Sequence, residues 1–390
     1  MPSYVPIIVI GAGQAGLACA GELVRRGLHP GTDFLVLDAN PGPGGAWRHR
    51  WDSLTLGAAH GIADLPGLAM KRPDPQVPAS RLVAEYYGEY ERRFRLQVRR
   101  PVRVSRVEPY DGNDSRSPLV VISSAGTWAA GLVVNATGTW DAPFVPAVPG
   151  ASTFSGWQLH TKDFVRADDF RGKRTVVVGG GLSAVQFLLE LEQVTQTVWA
   201  TRRPPNFTRS WQDPRWGLDV ERAVRSRTRA GLRPVSVVRT TGIGLIDRYV
   251  AGVRRGLLVS RGMFDRVTRQ GVVFGRSAPA AADGLGPSAS EDLVLPESWQ
   301  PFPEGTEVRA DVIFWNTGFR AALRHLAPMR LHGAQGISMV DEVTPAADGR
   351  VLLVGYASSA STVGANRAGR LAGRKAARWR VGDASPNMSV

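Results

Sequence analysis

Residues 154–164 read Phe-Ser-Gly-Trp-Gln-Leu-His-Thr-Lys-Asp-Phe, and after a short charged spacer residues 174–184 read Arg-Thr-Val-Val-Val-Gly-Gly-Gly-Leu-Ser-Ala. The second stretch is an apolar strand feeding a glycine turn and then an apolar helix through Leu191. Strand, turn and helix in that order make a glycine pattern a dinucleotide fingerprint, because the helix N-terminus offers N–H groups and a positive dipole end to a pyrophosphate. The same order occurs at the N-terminus, where Ile7-Ile-Val-Ile10 precedes Gly11-Ala-Gly13-Gln-Ala-Gly16. Two such units predict an α/β protein with two Rossmann-like, three-layer dinucleotide-binding domains, and the stretch around His160 lies between the two motifs.

In the first unit Gly11 makes the tight turn, Gly13 lets the backbone approach a pyrophosphate, and Gly16 permits close helix packing. Gln14 and Ala15 open the helix and join the expected site. The next strand, Phe34–Leu37, ends in Asp38, an acid placed to accept hydrogen bonds from an adenosine ribose. In the second unit Gly179 and Gly181 precede Leu182, Ser183 and Ala184, and the strand Thr197–Ala200 leads to Thr201-Arg202-Arg203. An NAD site favours an acid at that tip, whereas a 2′-phosphate needs a cation, so Arg202 and Arg203 predict NADPH.

A chain of 390 residues, 43% hydrophobic and 21% charged, suits a soluble protein of more than one hydrophobic core. No apolar run approaches the roughly 20 residues of a membrane span, and the N-terminus lacks a basic signal-peptide region, so the chain reads as cytoplasmic. Cys19 is the single cysteine, which excludes an intramolecular disulfide, a Cys-x-x-Cys pair and a cysteine-rich metal site and leaves packing as its expected role. No metal ligand set is evident. The net charge of +14 is carried almost wholly by scattered arginine. Runs such as Arg222-Ala-Val-Arg225-Ser-Arg227-Thr-Arg229 lack the aromatic interleaving of an RNA-binding module, so they read as solvated surface, with no specific nucleic acid expected. A homo-oligomer is left open.

Between the motifs, Leu82, Val83, Tyr86, Tyr87, Tyr90 and Phe94 fit one face of a helix from Ser80 to Arg95, an aromatic stripe read as core. Val102–Val107 and Leu119–Ile122 read as strands of a small sheet, and the proline-rich stretch after Gly138 as a linker. Helices are expected around residues 220–230 and 243–254, a loop over 277–290, a strand at Val351–Gly355 and a helix over 365–378.

The turn Gly42-Pro-Gly44-Gly45-Ala-Trp47-Arg48 carries a resemblance. It is similar to the Gly-Gly-x-Trp turn of flavin-containing monooxygenases, the group that includes Baeyer–Villiger enzymes, N-hydroxylases and plant auxin-forming oxygenases. Phe154, Gly156 and His160 match the family's Phe-x-Gly-x-x-x-His signature, with Phe164 where Trp or Tyr is usual. Ala136-Thr137-Gly138 resembles the family's Ala-Thr-Gly turn, and Asn316-Thr317-Gly318 its second copy with Asn316 for alanine. Relatives often carry an asparagine in the loop 51–66 and an aspartate at position 356; here the loop has none and Tyr356 stands there.

The resemblance implies FAD around Gly11, Gly13, Gly16 and Asp38, with Gly45, Trp47, Arg48, Gly138, Thr317 and Gly318 beside it. Thr362 and Val363 open a helix whose N-terminus would face the pyrimidine edge of the flavin. It implies a discontinuous FAD domain, residues 1–165 and 306–390, with an NADPH domain, 166–305, inserted. The expected activity is an NADPH-using monooxygenase that takes up dioxygen as a flavin C4a-(hydro)peroxide and oxygenates nitrogen, sulfur or a carbonyl carbon of a small-molecule substrate. His60 and Asp64 are candidates near the ring or as loop anchors, and His160 reads as a linker coupling domain geometry to turnover. Two alternatives remain: an NADPH-dependent flavoprotein reductase serving a quinone, metal or protein partner, and a flavin- or acidic-partner-binding protein without catalysis.

Overall fold

The apolar run at the N-terminus becomes β1 (Ser3–Ile10), followed by α1 (Gln14–Arg25) and β2 (Phe34–Leu37). Ile7, Ile8 and Val9 and all of β2 are buried, as expected of parallel strands covered on both faces. Alternate residues feed opposite cores: Ile7, Val9, Phe34 and Val36 pack with α1, whereas Ile8, Ile10, Leu35 and Leu37 pack with Leu326 and Met329. Each such side chain contributes about 1.5–3 kcal/mol by burial.

The computed structural model describes residues 2–59, 61–71, 74–112, 114, 116–209, 216–234, 242–276, 293–359 and 361–382. They form two units: Met1–Asp141 with Glu221–Pro234 and Ala321–Val390, and Ala142–Val220 with Val235–Arg320. In the first, α2 (Ala79–Arg93) is followed by β3 (Val104–Pro109), β4 (Leu119–Ser123) and β5 (Gly126–Asn135), and the strand order is β2-β1-β5-β4-β3. The strands read as a small separate sheet therefore extend the main one. The reason is β5, ten residues long, which pairs in parallel with β1 and antiparallel with β4. The strand Val351–Leu353 lies on the other side of β5, and the C-terminal helix Thr362–Gly382 follows it. Cys19 is fully buried within the first core, and desolvation pushes its thiol pKa up.

The second unit contains β6 (Trp157–His160), β7 (Arg174–Val178), α3 (Leu182–Leu191) and β8 (Gln196–Ala200). A short parallel pair follows, β9 (Phe207–Thr208) and β10 (Ile243–Gly244), then β11 (Phe264–Thr268), β12 (Gly271–Phe274), β13 (Glu307–Arg309) and β14 (Val312–Trp315). Its main sheet is ordered β6-β14-β7-β8. This corrects the expected boundaries. The expectation places residues 142–165 and 306–320 in the first domain, but β14 pairs in parallel with both β6 and β7, and these segments lie in the second unit.

Two local readings also change. Ile243–Gly244 is strand, and the helix there covers only Asp247–Arg254. On the helix Trp216–Arg229, Arg222 and Arg229 are exposed, but the Nε atoms of Arg225 and Arg227 are buried without a hydrogen-bond partner, so that run is not solvated throughout. The expected loop at 277–290 lies outside the described residues. Among the described residues no helix is long and apolar enough to cross a membrane.

Candidate functional site

In the first unit the glycine loop is tight on one side and open on the other. Gly11 has φ +101°, and a Cβ there would lie 2.5 Å from the carbonyl oxygen of Ala136; at Gly16 it would lie 1.9 Å from that of Gly11. Neither position accepts a side chain without moving backbone. At Gly13, the residue preceding α1, a Cβ would meet only the Cα of Gly45 at 3.9 Å. No side chain caps α1, so its first N–H groups are left to a ligand or solvent.

Asp38 holds this loop. It is 3% exposed; Oδ2 accepts from the Ala12 N–H at 2.9 Å and Oδ1 from the Asn40 N–H at 2.8 Å. Arg100, bound through both terminal nitrogens to Glu91, reaches Asp38 at 3.5 Å. The expected ribose acceptor is thus first a clamp on the turn. Gln14 likewise looks inward: it accepts from the Tyr87 hydroxyl and donates to the Ala63 carbonyl at 2.9 Å and to Asn366 at 2.7 Å.

That network fixes the loop read as approaching a flavin. Thr362 donates to the Gly61 carbonyl at 2.8 Å and Asn366 to the Asp64 carbonyl at 2.7 Å. Tyr86 accepts from the Leu65 N–H and donates to the Leu68 carbonyl, both at 2.6 Å. The tyrosines of α2 are therefore core, with the hydroxyls of Tyr86 and Tyr90 bonded to this loop and that of Tyr87 to Gln14. Asp64 anchors the loop through its backbone, and its side chain is exposed. His60 lies outside the described residues. Ser361 caps the C-terminal helix by accepting from the Gly364 N–H at 3.0 Å, and Val363 in the first turn is 60% exposed.

The turn Gly45–His49 packs on the glycine loop, since a Cβ at Gly45 would lie 2.8 Å from the Cα of Gly13. Trp47 is half-buried, and Arg48 is exposed and donates to the Pro43 carbonyl at 3.3 Å. Gly138, at φ +63°, ends the turn after β5 and has open space beside it. Asn135 and Thr137 brace this turn: Asn135 Nδ2 donates to Thr137 Oγ1 at 3.2 Å, and His325 Nε2 donates to Asn135 Oδ1 at 2.7 Å. Desolvation draws the His325 pKa down to about 4, so it is neutral at pH 7. His325 and Asn135 were not singled out from sequence; the only available signal was their proximity to Thr-Gly turns.

The second unit repeats the arrangement. A Cβ at Gly179, φ +140°, would lie 2.2 Å from the Asn316 carbonyl oxygen, whereas a Cβ at Gly181 would meet nothing within 4 Å. Leu182, Ser183 and Ala184 form the uncapped first turn of α3. Trp199 Nε1 donates to the Gly179 carbonyl at 2.7 Å, and Thr201 shares a 2.7 Å hydrogen bond with Ser260. Arg202 is exposed at the tip beyond β8, with Arg203 half-buried next to it.

Thr317 and Gly318 follow β14 and belong to this unit rather than to the first. Thr317 donates to the Phe144 carbonyl, and Gly318 has φ +79°. Asn316, the substitute for alanine, is buried, and its Oδ1 accepts from Thr161 Oγ1 at 2.9 Å. His160 is fully committed: Nε2 donates to the Gly318 carbonyl at 2.9 Å and Nδ1 accepts from the Lys162 N–H at 3.2 Å. Desolvation lowers its pKa. With both nitrogens engaged, the ring ties β6 to this turn.

The geometry matches known proteins. The profile of the pyridine nucleotide-disulphide oxidoreductase family matches residues 8–241. The chain is similar to a solved flavin-containing monooxygenase from Stenotrophomonas maltophilia, at 30% identity and a TM-score of 0.74, over 97% of this chain and 99% of that one. It is 26% identical to a Baeyer-Villiger monooxygenase of Streptomyces coelicolor, over 87% of this chain and 68% of that protein. It is 28% identical to an uncharacterized CzcO-like oxidoreductase of Geobacillus kaustophilus, over 50% of this chain; there it spans only 53% of the relative's length. Two uncapped glycine cradles, the Gly-Gly-x-Trp turn and this extent of likeness place the chain in the pyridine nucleotide-disulphide oxidoreductase family and, within it, among the flavin-containing monooxygenases.

Proposed function

We propose that the chain is an FAD- and NADPH-dependent monooxygenase of a small-molecule substrate, with dioxygen as co-substrate. The observation that carries the reading is the pair of cradles, each jammed at its turn glycine and open at the helix-opening glycine, which end in unlike residues. Asp38 ends β2 in the first, and Arg202 and Arg203 follow β8 in the second.

FAD fits the first cradle, where Gly11, Gly13 and Gly16 and the N–H groups of Gln14 and Ala15 would hold its pyrophosphate. Gly45, Trp47, Arg48 and Gly138 would line it. NADPH fits the second, held at Gly179, Gly181 and the N–H groups of Leu182, Ser183 and Ala184, with Arg202 and Arg203 on the 2′-phosphate and Thr317 and Gly318 at the neighbouring turn. When bound, the two cofactors supply hydride transfer and oxygen activation. The chain's part is to orient and shield them. The N-terminus of the C-terminal helix, at Thr362 and Val363, would offer N–H groups and a positive dipole end to negative charge. The loop 61–66 is held rigid for this purpose by Thr362, Asn366 and Gln14.

Dithiol chemistry, which the broader family's name suggests, has no support, because the only cysteine in the sequence, Cys19, is buried. The absence of an asparagine from the loop 51–66 favours one second reading, a flavoprotein reductase without oxygen insertion. Mass analysis of product formed under labelled dioxygen separates the two. Incorporation of one labelled atom is expected; coupled NADPH consumption and substrate turnover without label would sink the oxygenase reading.

A further inference from the structure

Arg50 stands at the end of the turn Gly45–His49. Its guanidinium carbon is 4.3 Å from the ring centroid of Trp140, 5.8 Å from Trp51 and 5.9 Å from Trp47. Among the described residues it has no hydrogen-bond acceptor and no carboxylate. Burial pulls its pKa down to about 10. Three other partly buried arginines of the same unit meet acids: Arg100 pairs with Glu91, Arg350 with Asp348 and Arg367 with Glu342. Among the described residues the Arg50 guanidinium meets rings alone.

Three aromatic faces can hold a guanidinium in place, each for about 0.5–2 kcal/mol. They leave its five N–H donors without a protein acceptor among the described residues, and on a half-buried residue those donors are open to water or to a ligand. The fork matches a planar carboxylate or a phosphate. The cage also spans two walls of the first cradle, because Trp47 follows Gly45, which packs on Gly13, and Trp140 lies two residues beyond Gly138.

We propose that Arg50 binds an oxyanion carried by a molecule that enters the first cradle, with Trp47, Trp51 and Trp140 holding the charge in readiness. The location rests on reading that cradle as a nucleotide site. The oxyanion has two chemical sources, a cofactor phosphate or a substrate carboxylate.

The test titrates ligand-free protein with FAD, with inorganic pyrophosphate and with benzoate, comparing wild type with Arg50→Gln and Arg50→Lys by calorimetry. The Gln variant should bind at least one probe about tenfold more weakly or worse, and the Lys variant should fall between, since it keeps the charge without the fork. Loss on FAD and pyrophosphate names the phosphate; loss on benzoate names the carboxylate. Ligand-free Arg50→Gln should melt at or above the wild-type temperature. If wild type fails to bind FAD yet binds pyrophosphate or benzoate through Arg50, the cradle reading falls and Arg50 stands. Affinities within twofold for all three probes, no binding of any probe to wild type, or a ligand-free variant that melts well below wild type or fails to fold would make Arg50 a structural post and overturn the proposal.

Discussion

In the first unit Gly11 follows Ile10, which lies opposite Asn135, and in the second Gly179 follows Val178, which lies opposite Trp315. Each glycine presses on the first carbonyl beyond the neighbouring strand, Ala136 in one and Asn316 in the other. Each neighbouring strand then runs into a Thr-Gly turn tied to a neutral histidine, His325 through Asn135 and His160 directly through Gly318. The fastening of the loops differs. A buried carboxylate, Asp38, clamps the first, whereas the second is held by Trp199 and the Thr201–Ser260 pair, and its strand tip carries the exposed Arg202 and the half-buried Arg203. One chain thus carries two dinucleotide-binding units with a shared backbone plan and unlike strand tips, Asp38 in the first and Arg202 and Arg203 in the second.

The comparison breaks most severely at the jammed glycines. Gly16→Val and Gly179→Val each drive a side chain into a backbone carbonyl, so each should cost about 3 kcal/mol or more and yield little folded protein, read by soluble yield and thermal unfolding. A next test concerns the histidines. The folded-state pKa of His325 is depressed, so its contribution is present above pH 6.5 and is lost as pH falls through about 4. That loss should amount to on the order of 3 kcal/mol between pH 7 and 4. His325→Gln should flatten this part of the stability curve; an unchanged curve would remove His325 as its source.

Asp38→Asn leaves either the buried Ala12 N–H or the part-buried Asn40 N–H facing an amide NH2 and should cost about 1–3 kcal/mol in thermal unfolding. The smallest change is at the other tip. Arg202→Ser with Arg203→Ser should leave folding intact and lower the NADPH over NADH preference by about tenfold, measured as the ratio of binding constants. An unchanged ratio would mean that the second cradle is not read from these arginines.

The strand–glycine–helix order of both units was legible in sequence because the hydrophobic period and the glycine spacing are local properties. The segment boundaries were not. The pairing of β14 with β6 and β7 joins residues more than 130 positions apart, and no local pattern in Val312–Trp315 tells which of the two main sheets it enters. Site residues divide the same way. Gly11, Gly16 and Gly179 follow from spacing, but the inward turn of Gln14 depends on Tyr87 and Asn366, and the Arg50 cage depends on Trp140, ninety positions away.

The central claim is that the first cradle takes FAD and the second NADPH, and Gly13→Val and Gly181→Val test it most directly. Both positions have ordinary backbone angles and open space, so both variants should fold with ligand room filled. Flavin content after purification and reduction of the flavin by NADPH are to be measured on each. Gly13→Val should be isolated without flavin, whereas Gly181→Val should carry flavin at the wild-type ratio but no longer be reduced by NADPH. Flavin retained in Gly13→Val, or lost from Gly181→Val, would contradict it.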